Sequence, residues 1–408
     1  MSRPATTAPA HGAATLSKGL VLLFAFCCGV IVANIYYAQP IIELIAPDIG
    51  LSAGGASLIV SLTQVGYALG LFFLVPLADL LENRRLMLAT LAVTVVSLIG
   101  AGLSEGPDVL LATSLLIGFG SVSVQMLIPL AAHLAPEETR GRVVGAIMGG
   151  LLLGILLARP VSSLIADHFH WRVVFFGAAA AMLLIALVVA TTLPGRRPDH
   201  RASYAQLLRS LGQLFRREPV LRQRALYQGL MFAAFSLFWT AAPLALSREY
   251  GLSQSQIALF ALAGAVGAVA APIAGRLADA GHTRSMSGLA MALGILSFLP
   301  GVVPLPLGVV GLAITGIVLD FAVQMNMVLG QRAVYSLDPA SRGRLNALYM
   351  TSIFVGGATG SSVASVLYEH AGWLGIAVFG SALSLVALLA FARAEIAPGA
   401  KRGLCRAD

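Results

Sequence analysis

Two charged residues stand where charges are costly: Arg159 in LLLGILLARPVSSLIA and Asp320 in GLAITGIVLDFAVQMNMVLG. At the centre of an apolar spanning helix such a charge costs about 2.5 to 3.5 kcal/mol on insertion scales, so each should face a cavity or a partner. Arg159 lies about eight residues from one end of its apolar run and Asp320 about twelve from the other end of its own, or roughly 12 Å and 18 Å at the helical rise. In a hydrocarbon core of about 30 Å these depths coincide. A guanidinium and a carboxylate at one depth can pair across an interface. If motion parts them, desolvation favours the neutral acid where the arginine had favoured the anion, so the carboxyl can take up a proton. The competing reading is a static buried ion pair that fixes helix register.

The elements that must position these residues are spanning helices. Of 408 residues 58% are hydrophobic and 11% charged, and mean hydropathy is +0.87, against roughly 25% charged in an ordinary soluble domain. Apolar segments of about 20 residues recur along the chain, which favours helices over a β-barrel. Twelve are expected. The stretch Arg140 to Trp171 is written again 202 positions later as Arg342 to Trp373, with Gly154 on Gly356, Ser163 on Ser365 and His168 on His370. The chain therefore reads as an all-α integral membrane protein of two six-helix halves. An even number of spans per half makes the repeat parallel, with binding near the midplane between the halves.

Charge placement gives orientation. With both termini inside, 23 of the 26 Lys and Arg fall on the inner side, Arg172 and Arg248 on the outer side and Arg159 in the membrane, as the positive-inside rule requires. The net charge of +8 is thus spread between spans, which argues against nucleic acid as a partner. Arginine carries nearly all of it, as in GC-rich bacterial genomes, so a bacterial inner membrane is expected. Residues 1–17 read as a disordered cytosolic tail, 18–193 and 225–393 as the two bundles, and 394–408 as a second cytosolic tail. Between the bundles, 194–224 carries eight arginines, and Tyr204, Leu207, Leu208, Leu211, Leu214 and Phe215 at helical spacing. That pattern predicts a basic amphipathic helix on the anionic inner leaflet. Three cysteines, Cys27, Cys28 and Cys405, give no disulfide or metal framework.

Four spans carry polar or aromatic stripes: Asn34 and Tyr37; Gly118, Ser121, Gln125 and Pro129; Gln228, Phe232, Phe235 and Trp239; and Gly316, Asp320, Gln324, Met327 and Gln331. Asn34, Tyr37, Gln125, Gln228, Trp239 and Gln324 are the candidate lining of a substrate cavity, although helix packing also uses such residues. Two turns, LVPLADLLENRRLM (Leu74 to Met87) and GRLADAGHTR (Gly275 to Arg284), share Leu-Ala-Asp and an arginine five residues after the Asp. In these turns the sequence resembles the major facilitator superfamily, whose signature is a G-x-L-A-D-R-x-G-R-R-like turn between spans two and three, echoed between eight and nine. NIYYAQP (Asn34 to Pro40), LLARPVSS (Leu156 to Ser163) and LDFAVQ (Leu319 to Gln324) are similar to the bacterial drug and sugar efflux permeases of the arabinose-efflux type.

The resemblance implies that spans one, four, seven and ten line the cavity. It also implies an inner gate of Asp79, Arg84 and Arg85 in one half, Asp279 and Arg284 in the other, with Arg140, Arg142, Arg342 and Arg344 nearby. Compared with the superfamily's antiporter motif in span five, Pro160 matches, while Arg159, Ser162 and Ser163 stand in place of glycines. Gly102-Leu-Ser-Glu-Gly106 matches a nucleophile pattern but sits in a short loop between spans without the strand that pattern needs. No Walker A motif is present, which argues against direct ATP drive. The expectation is a monomeric secondary transporter, not an enzyme, with no cofactor beyond a proton gradient, exporting small organic molecules in exchange for protons. The rivals are a proton-coupled importer of a sugar or other metabolite and a membrane sensor that binds without moving its ligand.

Overall fold

The computed structural model describes residues 17–193, 195, 203–302, 307–338 and 341–396, which are helical nearly throughout with no strand among them. Helix α1 (Lys18–Ala33) gives way to turns and a 3₁₀ segment (Gln39–Ile41) before α2 (Ile42–Asp48). Next come α3 (Leu58–Phe73), flanked by 3₁₀ turns Ala53–Gly55 and Val75–Asp79, α4 (Asn83–Gly102), α5 (Pro107–Gly120) and α6 (Ser123–Leu134). Helices α7 (Glu137–His168) and α8 (Trp171–Thr192) complete the first half. After the connecting α9 (Tyr204–Arg217) follow α10 (Pro219–Arg248), α11 (Gln254–Ala261), a 3₁₀ stretch (Leu262–Val269), α12 (Ala270–Asp279) and α13 (Thr283–Leu296). The chain continues through the short α14 (Leu299–Val302), α15 (Gly308–Tyr335) and α16 (Arg342–Ile396).

Among the described residues eight helices are long and apolar enough to cross a membrane. The last, Arg342–Ala394, has 53 residues. Unbroken it would run roughly 80 Å, more than twice a bilayer core of about 30 Å. Gly372, at φ 58 and ψ −157, breaks it where the repeat places the exit from span eleven. A positive φ is a conformation that glycine adopts without strain.

The repeat is also visible in packing. Helix α1 packs on α7, and α10 packs on α16. In the first crossing Gly29 meets Gly150 and Gly154, and a Cβ on Gly154 would lie 2.1 Å from the Gly29 carbonyl oxygen. In the second, a Cβ on Gly356 would lie 2.1 Å from the carbonyl oxygen of Gly229. Backbone meets backbone in both, as small residues allow between membrane helices.

The halves meet along α3 against α16 and along α7 against α11. The polar bonds between the halves lie away from the arginine-rich turns, toward the opposite face. Ser361 Oγ donates to Ser61 Oγ at 3.1 Å, Gln64 Nε2 donates to Ser236 Oγ at 2.8 Å, and Ser255 bonds Asp167. At the rim Arg248 holds Glu43 of the first half through two nitrogens, each at 2.7 Å, and also bonds Glu369 of its own half. A forked guanidinium–carboxylate pair combines charge with fixed geometry. Nearby, Asp48 accepts from Arg172 and from Trp171 Nε1 at 3.0 Å, and the Arg172 guanidinium holds its carboxyl below the usual carboxylate range.

On the basic face the described arginine bonds stay within a half or run to α9. Arg140 Nε donates to Ala132 O at 2.9 Å and Arg342 Nε to Tyr335 O at 3.2 Å, each closing the end of the preceding helix. Arg85 pairs with Glu82 at 2.8 Å, and Arg332 pairs with Asp279. Arg344 donates to Ser210 of α9 at 3.1 Å and to Ser341 at 2.7 Å, Arg84 is half-buried and Arg142 is exposed. Asp79 and Arg284 lie in the two turns and are not without partners.

Helix α9 also packs on the protein. Leu207 and Leu211 are buried, and α9 packs on α10, on α16 and on the turn Val75–Asp79. Tyr204 Oη donates to Phe73 O at 2.9 Å, so part of the apolar stripe is covered by protein, while Phe215 stays exposed. Of the eight linker arginines, Arg196, Arg197 and Arg201 lie outside the described residues, as do both expected tails apart from Ser17 and residues 394–396.

Two outcomes test this packing. Gly356→Val forces α10 and α16 apart, at about 1 to 3 kcal/mol for an overpacked contact, and should lower the detergent-solubilised melting temperature. Gly145→Ala on α7, with nothing within 4 Å of its added carbon, should leave it unchanged. In a background without Cys27, Cys28 and Cys405, the double variant Glu43→Cys, Arg248→Cys should be joined within one chain by a short bifunctional thiol reagent that spans the distance now filled by the two side chains. Failure to cross-link in any condition would show that these two ends do not approach.

Candidate functional site

Backbone irregularity marks the site. Residues 34–38 are turns between α1 and the 3₁₀ segment Gln39–Ile41, and Leu262–Val269 is 3₁₀ between α11 and α12. At membrane depth such segments are tolerated where they are buried in protein or line a cavity. Here they flank the two buried charges. Gln39, in the first break, accepts from Arg159 Nε at 2.8 Å and donates from its Nε2 to Thr240 Oγ1 at 3.1 Å, linking the halves. The second break lies beside Asp320. A Cβ on Gly264 would be 2.7 Å from Asp320 Oδ2 and 3.0 Å from the Trp239 ring, and one on Gly267 only 2.4 Å from Asp320 Cβ.

Arg159 and Asp320 both contact Trp239. The Trp239 Nε1–H donates to Asp320 Oδ1 at 2.7 Å, while the Arg159 guanidinium lies over the same indole ring at 4.4 Å. Tyr36 and Phe235 place their rings 5.1 and 5.4 Å from the guanidinium carbon. This is a cation–π box in which the indole face takes the cation and the indole edge the anion. Arg159 is 4% exposed, and its Nη2 is buried without a hydrogen-bond partner. Asp320, Phe235 and Gln324 are half-buried.

A row of aromatic rings continues from this point. Trp239 leads to Phe235 at 6.5 Å, Phe235 stacks on Phe232 at 5.0 Å, and Phe232 meets Phe354 at 5.4 Å. Phe354 then meets Tyr67 of the first half edge-on at 4.5 Å, and Tyr67 Oη accepts from Gln125 Nε2 at 3.2 Å. Gln125 and Trp239 thus sit at the two ends of one wall.

The other candidates divide. Tyr37 is half-buried and its carbonyl accepts from Ser162. Gln324 shares the face of Asp320 one turn on. Asn34 is buried in the first half, its Nδ2 donating to Ile31 O at 3.1 Å and facing Met182 Sδ at 3.2 Å. Gln228 is fully buried, donating to Val323 O at 3.2 Å and accepting from Asn326 at 2.7 Å, between α10 and α15. These two serve helix packing in this conformation. The sequence reading missed Gln39, Thr240, Tyr36 and the Gly264/Gly267 pair. A lone amide beside Pro40 in an apolar run, and Gly-x-x-Gly in a span, were the available signals.

Among the described residues no group of His, Cys, Asp and Glu could hold a metal ion. Comparison with known proteins agrees with this architecture. The chain is 40% identical over 394 residues to YgaY of Escherichia coli O157:H7, an uncharacterized transporter, covering 95% of this chain and 98% of that one. It is 34% identical over 389 residues to the probable transporter SCO4007 of Streptomyces coelicolor, covering 94% and 88%. Its fold is similar to the crystal structure of the nucleoside transporter NupG, with a TM-score of 0.73 and 15% identity over 93% of this chain and 99% of that one. A bacterial homologue of the human lysosomal transporter Spinster, solved inward-facing and unoccupied, gives 0.69 and 14% over 94% and 100%. At these identities the solved structures speak for the fold alone. The family model described as Major Facilitator Superfamily matches residues 22–334 and 224–404. The chain is therefore a multi-pass membrane transport protein, not an enzyme, and belongs to the Major Facilitator Superfamily.

Proposed function

We propose that this transporter moves small organic molecules by alternating access and is driven by protons, with Asp320 as the proton acceptor. The observation that carries the reading is the Arg159–Trp239–Asp320 arrangement, in which a buried guanidinium and a half-buried carboxylate from the two halves share one indole. Rocking of the halves moves Arg159 away from Trp239 and Asp320, which travel together. A carboxylate that loses its counter-charge in a dry site favours the protonated form, so conformational change and proton binding are coupled. The groups facing Asp320 are Arg159 from α7 and Tyr36 from the break after α1.

In this reading the basic face is cytosolic, both termini are inside, and the protein works as a monomer in a bacterial inner membrane. The turns carrying Asp79, Arg84, Asp279 and Arg284 then act as the inner gate. The bonds that close the opposite face, Arg248 to Glu43 above all, support an outward gate that is shut in this conformation. Resemblance to the efflux permeases supports export in exchange for protons. One observation favours a second reading, entry of solute together with a proton: the unbonded Nη2 of Arg159 is a ready place for an anion.

Inside-out vesicles with an acidified lumen and an entrapped pH dye separate these readings. For exchange, a transported compound should release lumenal protons with wild-type protein and not with Asp320→Asn. For co-transport, an outwardly directed solute gradient from a loaded lumen should carry protons out with it. Unaltered pH-driven transport by Asp320→Asn would remove the coupling role from that residue.

A further inference from the structure

Arg159 Nη2 is the charged side-chain nitrogen that, among the described residues, is both buried and unbonded. A guanidinium in an apolar interior needs its donors satisfied, and the protein leaves this one open. Asp320 does not fill the place: its Oδ1 accepts from the Trp239 N–H at the indole edge, and Nη2 is left without a hydrogen-bond partner. Gln39 takes only Nε. The three rings of Tyr36, Phe235 and Trp239 surround the group and offer apolar faces. On the other side of the carboxyl Gly264 packs closely, since a side chain there would strike both Asp320 and Trp239.

We propose that Arg159 is an anion-binding group, and that the solute is an organic acid with an aromatic or compact apolar body whose carboxylate takes the open side of the guanidinium. Planar carboxylates match the guanidinium fork, and the rings accept the body of the molecule. A cationic solute would meet the guanidinium's repulsion, and a neutral one would leave the nitrogen short of a charged partner.

The arrangement also sets the sign of coupling. With Asp320 ionised, the cluster of Arg159, Asp320 and the neutral Tyr36 carries no net charge. With Asp320 protonated, the guanidinium is uncompensated and attracts an anion. Proton and acid therefore bind together, and by linkage each raises the other's affinity by the same factor. This step rests on Asp320 as the proton site and selects the co-transport reading.

Calorimetric titration of the purified full chain with benzoate, cyclohexanecarboxylate, benzamide and benzylamine tests the site without requiring flux. Both acids should bind, and the amide and amine at least about 30-fold more weakly, as for loss of one partner of a buried charged contact. Acid affinity should rise as pH falls from about 8 to 6, where benzoate stays ionised. Arg159→Gln should lose the acids, Arg159→Lys should keep part of the affinity, and Asp320→Asn should bind them at least as tightly as wild type with no pH dependence. Benzamide binding as well as benzoate, weakened acid binding in Asp320→Asn, or no binding of either acid at tens of millimolar would overturn the proposal. Because Asp320→Asn predicts a gain, loss of folding in Arg159→Gln does not decide the matter. Acid binding without flux in vesicles would sink the transport reading and leave the anion site standing. Proton-coupled flux of some other solute with no acid binding would do the reverse.

Discussion

A cation and an anion held in an apolar interior, one on each half of the molecule, impose the constraint from which the central architecture follows. Each costs several kcal/mol to bury unless hydrogen bonds and opposite charge offset it. Neither can be satisfied by its own helix, whose backbone groups are already paired. The partners have to come from other spans, and they do: Gln39 for Arg159, the Trp239 indole for both charges. An indole shared by a guanidinium and a carboxylate is a softer link than a direct salt bridge. It gives some attraction to each without locking the halves together, which suits an interface that has to open.

The irregular backbone is a consequence of that constraint. Gln39 reaches Arg159 and Thr240 because the helix has unwound over residues 34–38. The 3₁₀ stretch Leu262–Val269 carries Gly264 and Gly267 against Asp320, where α-helical residues with side chains would not fit. Away from the charges the opposite holds. Straight helices cross at Gly29 with Gly154 and at Gly229 with Gly356, and each half keeps its own close-packed seam. Rigid bundles with a loosened middle are what rocking about a central site requires.

Much of this was legible in the chain. The apolar periodicity, the repeat and the charge asymmetry yield membrane helices in two related halves. Matching the depths of Arg159 and Asp320 singles the two out as a pair, and in the structure both contact Trp239. The face of span ten was readable because α15 is an uninterrupted helix, so Asp320 and Gln324 at i, i+4 share a side. The same rule fails for Asn34 and Tyr37, because i, i+3 spacing presumes a helix and residues 34–38 are turns. Asn34 turns toward Met182 while Tyr37 stays partly open. Gln228 was misplaced for another reason: a polar stripe on a buried helix can serve a neighbouring span as well as a cavity, and here α15 supplies its partners. The contact of Trp239 with both charges is a three-dimensional fact that no spacing encodes.

The halves are held at the two faces by different chemistry, and the difference bears on which of them yields first. On the opposite face the halves hold each other directly, by a forked Arg248–Glu43 pair and a hydroxyl ladder on α3 and α16. On the basic face Arg140 and Arg342 bond helix ends within their own half, and α9 bridges the halves, held by Tyr204 to the first half and by Arg344 to the second. Partly exposed ion pairs contribute only about 0 to 1 kcal/mol each, so neither tie is strong by itself. The balance between two weak ties is then open to a bias from the centre, where one proton added to Asp320 changes the charge of the buried cluster by a full unit in surroundings that screen it poorly. A perturbation of that size at the pivot outweighs any single surface bond at either rim.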